Sequence, residues 1–288
     1  MKRILSLLAV FVLVCSVAAC KPEENSTEDN SSTIQTVDVN IVAKVKEAQE
    51  NLEAKLESNK FSYKANTSAN IIEGKKETQM TMYQNCRYDA TSNLTATLKS
   101  GVSMGDVKAD ITMYINDEYL FYNDTKSTYK IKVDDDTKSY VEKQSRDFET
   151  FEFEDLPVID TVVVNTDGGG YGFVIAYDAS QFTKEQYKIL SEVSDASFED
   201  IKFTKVEVSG IIDKENVISQ MALSVNYSIE DDDTSSGTTS NSKTSKTEFE
   251  FVMEVKYDFS GNFTVEIPNN ISVSDAKDST LDKLKGSK

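Results

Sequence analysis

Glu248-Phe249-Glu250-Phe251-Val252-Met253-Glu254-Val255-Lys256-Tyr257-Asp258-Phe259 is the stretch whose reading decides the fold. Phe249, Phe251, Met253, Val255, Tyr257 and Phe259 take every second position, and Glu248, Glu250, Glu254, Lys256 and Asp258 take the others. Successive side chains on a strand point to opposite faces, so this segment is a strand with one apolar and one charged face. Coiled as a helix, it would scatter both sets around its circumference. Ser260-Gly261 then reads as a turn into Phe263, Val265 and Ile267, a further expected strand that Pro268 ends.

The same period runs through most of the chain. Phe61, Tyr63, Ala65, Ala69 and Ile71 alternate with polar residues up to a turn at Glu73-Gly74. Met80, Met82, Cys86 and Tyr88 continue the pattern, followed by Leu94, Ala96 and Leu98. After an expected turn over Gly101–Gly105 come Val107, Ala109, Ile111, Met113 and Ile115. Asn116-Asp117 and Asp124–Ser127 bound two shorter strands, Tyr119 to Tyr122 and Tyr129 to Val133. Further on, Tyr171, Phe173, Ile175 and Tyr177, then Ile201–Ile212, then Val217, Met221, Leu223, Val225, Tyr227 and Ile229 alternate again, with Asp213-Lys214-Glu215-Asn216 as a turn. These are consecutive hairpins. Residues 230–246, acidic and then rich in Ser and Thr, form a low-complexity loop at a hairpin tip.

Three segments depart from period two. After Asp38, a plausible N-cap, Ile41, Val45, Ala48, Leu52 and Leu56 recur at helical spacing. Asp134-Asp135-Asp136 opens a second helix carrying Tyr140, Val141, Gln144 and Phe148. Thr183-Lys184-Glu185-Gln186 has the form of a capping box for a third, reaching about Val193. Between them, Phe151 and Phe153 lead to Pro157 and the apolar run Val158 to Val164, expected as a buried segment or strand, with Gly168-Gly169-Gly170 after it as a flexible hinge.

The expected class is therefore α+β: a large curved antiparallel sheet of about ten or eleven strands, several about a dozen residues long against a usual five or six. A sheet that long curls, and its apolar face needs cover. The three helical segments are the available cover for a concave apolar face, and a partly filled concave face is a natural ligand site. A two-sheet sandwich is the alternative, though it usually has shorter strands and needs no opening amphipathic helix.

The first residues tell where the chain goes. Met1-Lys2-Arg3 is basic, Ile4 to Val14 is apolar, and Val17-Ala18-Ala19 is a small-residue exit before Cys20. The apolar run is shorter than the roughly 20 residues a spanning helix needs. Val17-Ala18-Ala19-Cys20 resembles the lipobox of bacterial lipoproteins, which implies removal of residues 1–19 and attachment of a diacylglyceryl group to the Cys20 thiol. Two acyl chains hold to a membrane where one gives only marginal binding. Residues 20–36 then carry the lipid and a polar tether that as a coil spans about 20 Å r.m.s..

Composition narrows the chemistry. The formal net charge is −18 and becomes more negative once Lys2 and Arg3 leave with the leader. Nucleic acid needs a basic footprint and is excluded as a partner. The absence of histidine removes the commonest general base and metal ligand. Cys15 departs with the leader and Cys20 takes lipid, so Cys86 has no partner for an internal disulfide. It reads as a small buried hydrophobe with no base to activate it. Asp134–Asp136, Asp231–Asp233 and Asp258 complete no calcium loop, and neither a metal nor a cofactor nor a catalytic residue is expected. If the sheet holds a pocket, Tyr63, Met80, Met82, Met113, Met221 and Met253 are the candidate lining, because methionine adapts to a floppy apolar ligand.

A lipobox, a polar tether, one opening helix and a long-stranded meander with helices inserted mid-chain together resemble the LolA/LppX-like lipoproteins. Tyr114-Ile115-Asn116-Asp117-Glu118-Tyr119-Leu120-Phe121 and Gly210-Ile211-Ile212-Asp213-Lys214-Glu215-Asn216-Val217-Ile218 are similar to hairpins of uncharacterised Gram-positive members, and Gly261 to Pro268 also fits. The resemblance implies a half-barrel whose concave side holds helices and accepts acyl chains, in a single domain over 37–268 with a polar tail at 269–288. The expected protein is a non-enzymatic, extracytoplasmic lipoprotein anchored to the cell membrane by Cys20 and binding an apolar ligand such as a lipid. The alternative is a cell-surface module that docks a protein or wall polymer through a strand edge or the 230–246 loop.

Overall fold

Asn40, not Asp38, starts the first helix: its side chain accepts a hydrogen bond from Ala43 N at 3.3 Å. The computed structural model of the chain describes residues 40–124, 126–146, 157–178, 180, 201–231 and 245–286. Asp38, the leader, Cys20, the tether, the segment after Thr183 and most of the 230–246 loop lie outside these. The opening helix, α1, spans Ile41–Leu56, and its stripe Ile41, Val45, Ala48, Leu52 and Leu56 is buried as the spacing dictates.

From Lys60 the chain runs as a meander: β1 (Lys60–Glu73), β2 (Lys76–Asp89), β3 (Thr95–Met104), β4 (Val107–Ile115), β5 (Tyr119–Asn123) and β6 (Thr128–Lys132). Helix α2 (Asp135–Arg146) follows, with Asp134 accepting from Thr137 N at 2.8 Å as its cap. Then come β7 (Val158–Asn165), β8 (Tyr171–Tyr177), β9 (Ile201–Ile212), β10 (Ile218–Asp231) and β11 (Ser245–Asp258). A two-residue β12 (Lys277–Asp278) and a short helix α3 (Leu281–Gly286) close the chain. Among the described residues the strands form one open curved sheet of 12, in the order β12-β6-β5-β4-β3-β2-β1-β11-β10-β9-β8-β7. All pairs are antiparallel except β12 with β6.

Register shows why the alternation matters. Tyr257, Tyr63, Cys86, Leu98, Met113, Tyr122 and Tyr129 lie directly opposite one another across β11-β1-β2-β3-β4-β5-β6, and all belong to or pack on one core. One residue along, the row is Lys256, Lys64, Asn85, Lys99, Thr112 and Asn123. A slip of one residue would exchange these rows between faces, so burial fixes the register.

Turns are set by short side chains. Asn116 Oδ1 accepts from Glu118 N and Tyr119 N, both at 2.9 Å, and Asp124 Oδ1 accepts from Lys126 N and Ser127 N, both at 3.0 Å. Asp213 Oδ1 accepts from Glu215 N at 2.8 Å and Val217 N at 3.0 Å, leaving Asn216 at φ 59°.

Several expectations fail, each for a physical reason. The turn expected over Gly101–Gly105 is only its last part, because β3 continues through Gly101 to Met104. Gly101 is there for space: a Cβ would collide with the Tyr83 ring and the Asp110 carboxylate, which bridge across it with a 2.9 Å hydrogen bond. Gly168–Gly170 is no hinge but a hairpin turn, with Thr166 N donating to Gly170 O at 3.0 Å. The run Val158–Val164 is a strand but not a buried one; as β7 it ends the sheet, and only Val163 is buried.

Phe263, Val265 and Ile267 form no strand. The segment crosses the sheet's polar face instead, held by Arg87 Nη1 donating to Thr264 O at 3.3 Å and Thr97 Oγ1 donating to Glu266 O at 3.4 Å. The polar tail over 269–286 packs on the sheet, and its end is the short helix α3. Ile271 is buried against Tyr114 and Phe121, and Asn270 Nδ2 donates to Thr112 Oγ1 at 2.8 Å. Lys277–Asp278 then pairs with β6, Ser279 Oγ meets Tyr122 OH at 2.9 Å, and Leu284 packs on the main core. The C-terminal segment is a strap that passes from the polar face around the β6 edge.

Candidate functional site

The site is built from what the apolar sheet face gathers. The buried stripe of α1 joins a core with Phe61, Tyr63, Val208, Met221, Val225 and Val255. Asn51 Nδ2 donates to Asn216 O at 2.9 Å, and Lys55 pairs with Glu215 at 3.0 Å, which pins α1 to the β9–β10 turn. Helix α2 meets β2 and β3 and places Val141 in the same core. Its far end forms a small polar cluster: Tyr88 OH donates to Glu142 Oε1 at 3.1 Å and accepts from Arg146 Nη2 at 3.2 Å, while the ring stacks on Phe61.

The six candidate lining residues all lie on the apolar face and are all buried, but the structure divides them. Tyr63, Met113, Met221 and Met253 belong to the main core. Met80 and Met82 form a second cluster with Ala69, against which Val102, Met104 and Phe251 pack. No residue of α1 or α2 belongs to this second cluster. It sits toward the hairpin ends of β1–β4, and on the same face beyond it Val107 and Ile111 are 55% and 38% exposed. An apolar shelf therefore continues past the core into solvent. Spacing alone hid this division, since the two methionine sets share one alternation.

Tyrosine hydroxyls supply the polar points of this face. Tyr63 OH accepts from Gln84 Nε2 at 2.7 Å. Burial pushes the Tyr177, Tyr227 and Tyr257 hydroxyls far above the ordinary phenol range, so they stay neutral. Burial likewise pushes the Cys86 thiol up to about 12, with Ser145 and Tyr63 only partly offsetting it. A thiol this far above neutrality is no nucleophile. Among the described residues, no three His, Cys, Asp or Glu side chains converge on a metal position, and no helix is long and apolar enough to cross a membrane.

A second apolar feature lies on the opposite face. A depression of about 290 Å³ opens over β7–β10, lined by Val162, Val164, Val174, Ile211 and Ala222 around Gly172. The sequence shows these positions as the outward half of an alternation, where polar residues are the rule.

No family model and no curated protein matches the sequence. Among solved structures, the chain is similar to LprF from Mycobacterium bovis at 8% identity and a TM-score of 0.33, over 83% of this chain and 100% of that one. It is also similar to a DUF1329 family protein from Desulfovibrio piger at 8% identity and a TM-score of 0.19, over 75% of this chain and 90% of that one.

Proposed function

We propose that this chain is an extracytoplasmic bacterial lipoprotein of the Gram-positive type, anchored through lipid on Cys20, whose sheet takes up an apolar ligand such as a lipid and performs no covalent chemistry. The observation that carries the reading is the methionine shelf. An apolar face crosses the whole sheet, the helical stripes join one part of it, and Met80 and Met82 extend it toward exposed Ile111 and Val107. In this reading α1 and α2 roof the hollow of a half-barrel, and an acyl chain lies along the shelf beside them, the candidate lining being Tyr63, Met80, Met82, Met113, Met221 and Met253. Each methylene transferred there gains about 0.8 kcal/mol, and methionine accommodates the disorder of the chain. The anchor and the ligand are separate lipids: the first is covalent, the second extractable.

The test is to purify the full chain from bacterial membranes in mild detergent and extract it with organic solvent. Mass spectrometry is expected to find a non-covalent lipid in near-stoichiometric amount, and Met82→Asp, which sets a charge in the shelf, is expected to lower it several-fold. A chain that carries no lipid beyond the covalent one overturns the ligand reading. Anchoring is tested apart from this: Cys20→Ala is expected to leave the membrane fraction, and its retention there refutes attachment at that residue.

A further inference from the structure

The edge strand β7 has features of a surface built to pair. Among the described residues it ends the sheet; it runs for 8 residues without a lysine or proline, and leaves Ile159 67%, Val162 44% and Val158 40% exposed. Edge strands are normally shortened, charged or covered, because their free N–H and C=O groups recruit another strand. The sheet's other edge is treated that way: β12 is two residues long, is made of Lys277 and Asp278, and belongs to the strap.

The geometry says which groups of β7 are free. Thr166 N donates to Gly170 O, and antiparallel ladders alternate between residues that bond to the neighbour and residues that do not. With the register unbroken from Thr161 to Asn165, Val162 and Val164 bond to β8, while Thr161, Val163 and Asn165 turn their backbone groups outward. The Thr161 amide confirms the direction, since it is met by Asp160 Oδ1 at 2.8 Å.

We propose that β7 pairs antiparallel with β7 of a second copy of this chain, about a two-fold axis at Val163. The argument for a second copy is self-complementarity, which a two-fold interface requires. Asp160-Thr161-Val162-Val163-Val164-Asn165-Thr166 has the same polarity read in either direction: two polar residues, three valines, two polar residues. Centred on Val163, each Val162 stands opposite the partner copy's Val164, and each Thr161 opposite its Asn165. The two Asp160 side chains fall six residues apart along the ladder, about 20 Å at strand spacing, so the only charges of the strand never meet. The bulge between Val158 and Asp160 confines pairing to this segment, and the Asp160 carboxylate must release the Thr161 amide for the outer bonds to form. Because the opposite edge is blunted, pairing stops at two copies and does not propagate.

One strand pair is a small interface, so covalent trapping reads it better than dilution. In this register Val162 and Val164 of the two copies make non-hydrogen-bonded pairs, whose Cα separation of about 4.5 Å accepts a disulfide. Full-length Val162→Cys and Val164→Cys chains are expressed singly and together, and extracts are treated with a mild oxidant. The co-expressed pair is expected to give a disulfide dimer at least ten-fold above either single variant and above the parent chain. Equal trapping in a single variant, or none in the co-expressed pair, overturns the proposal. Asn165→Pro removes an outward N–H without taking a bond from β8; it is expected to abolish trapping in the co-expressed pair while circular dichroism stays unchanged. Persistence of trapping in that variant also overturns it.

Discussion

The two ends of the sheet are finished in opposite ways. At β6, the last residues of the chain cover the polar face with Ile271, pair through Lys277–Asp278, and return Leu284 to the main core. At β7, valines and Ile159 face solvent, and among the described residues no further strand pairs with it. The difference teaches that edge protection here is a tertiary matter. The β6 edge is made safe by a segment about 150 residues away in sequence, as the Lys277 to Ser127 side-chain hydrogen bond at 2.9 Å records.

The most severe way to break the contrast is to delete 269–288. Urea unfolding is expected to show a stability loss on the order of 4 kcal/mol, from the combined loss of Ile271 and Leu284 burial and a paired edge. Ile271→Ala alone isolates the strap's apolar anchor and is expected to cost about 2–3 kcal/mol in the same assay. Gly101→Ala tests the polar face under the strap half, where the new methyl group drives Tyr83 off Asp110; a cost of about 1–3 kcal/mol is expected. Ile159→Ala on the bare edge is expected to change stability by less than about 0.5 kcal/mol, because that side chain is already in water.

A pH series sharpens the same comparison. Asp89 is partly buried, which raises its pKa, but the Lys60 ammonium at 2.7 Å and the Thr91 hydrogen bonds outweigh this and hold it below the usual carboxylate value. A depressed folded-state pKa gives stability that is present above the unfolded value and lost as pH falls through the folded one. Asp89→Asn is therefore expected to flatten the acid limb of the unfolding midpoint below about pH 4, with little change in shape above it.

Much of this was legible beforehand. Ile41, Val45, Ala48, Leu52 and Leu56 are buried as their spacing requires, and the rows through Tyr63 and Cys86 follow from alternation alone. What failed was what depends on distant partners. Gly101 reads as a turn because its reason, the Tyr83 ring, sits on the neighbouring strand. Val158–Val164 reads as a buried segment or a strand; it is a strand, and its exposed edge position is not encoded in hydrophobicity. The tail reads only as polar because two apolar residues, Ile271 and Leu284, do its anchoring. For the candidate site, the sequence identifies which methionines share a face but not that Met80 and Met82 separate from the rest.

The ladder between β1 and β11 joins Ser62 to Asp258 and Glu73 to Thr247. On either side of it lie two meanders, β1–β6 and β7–β11, whose strands pair with their sequence neighbours and can form locally. The seam between them closes a loop of about two-thirds of the chain, and such closure is slow because its entropy is lost before any contact rewards it. Until residue 258 is available, the centre of the sheet stays open. Each meander can thus be complete while the single sheet is not: β1 gains its second neighbour only when residues 247–258 are present.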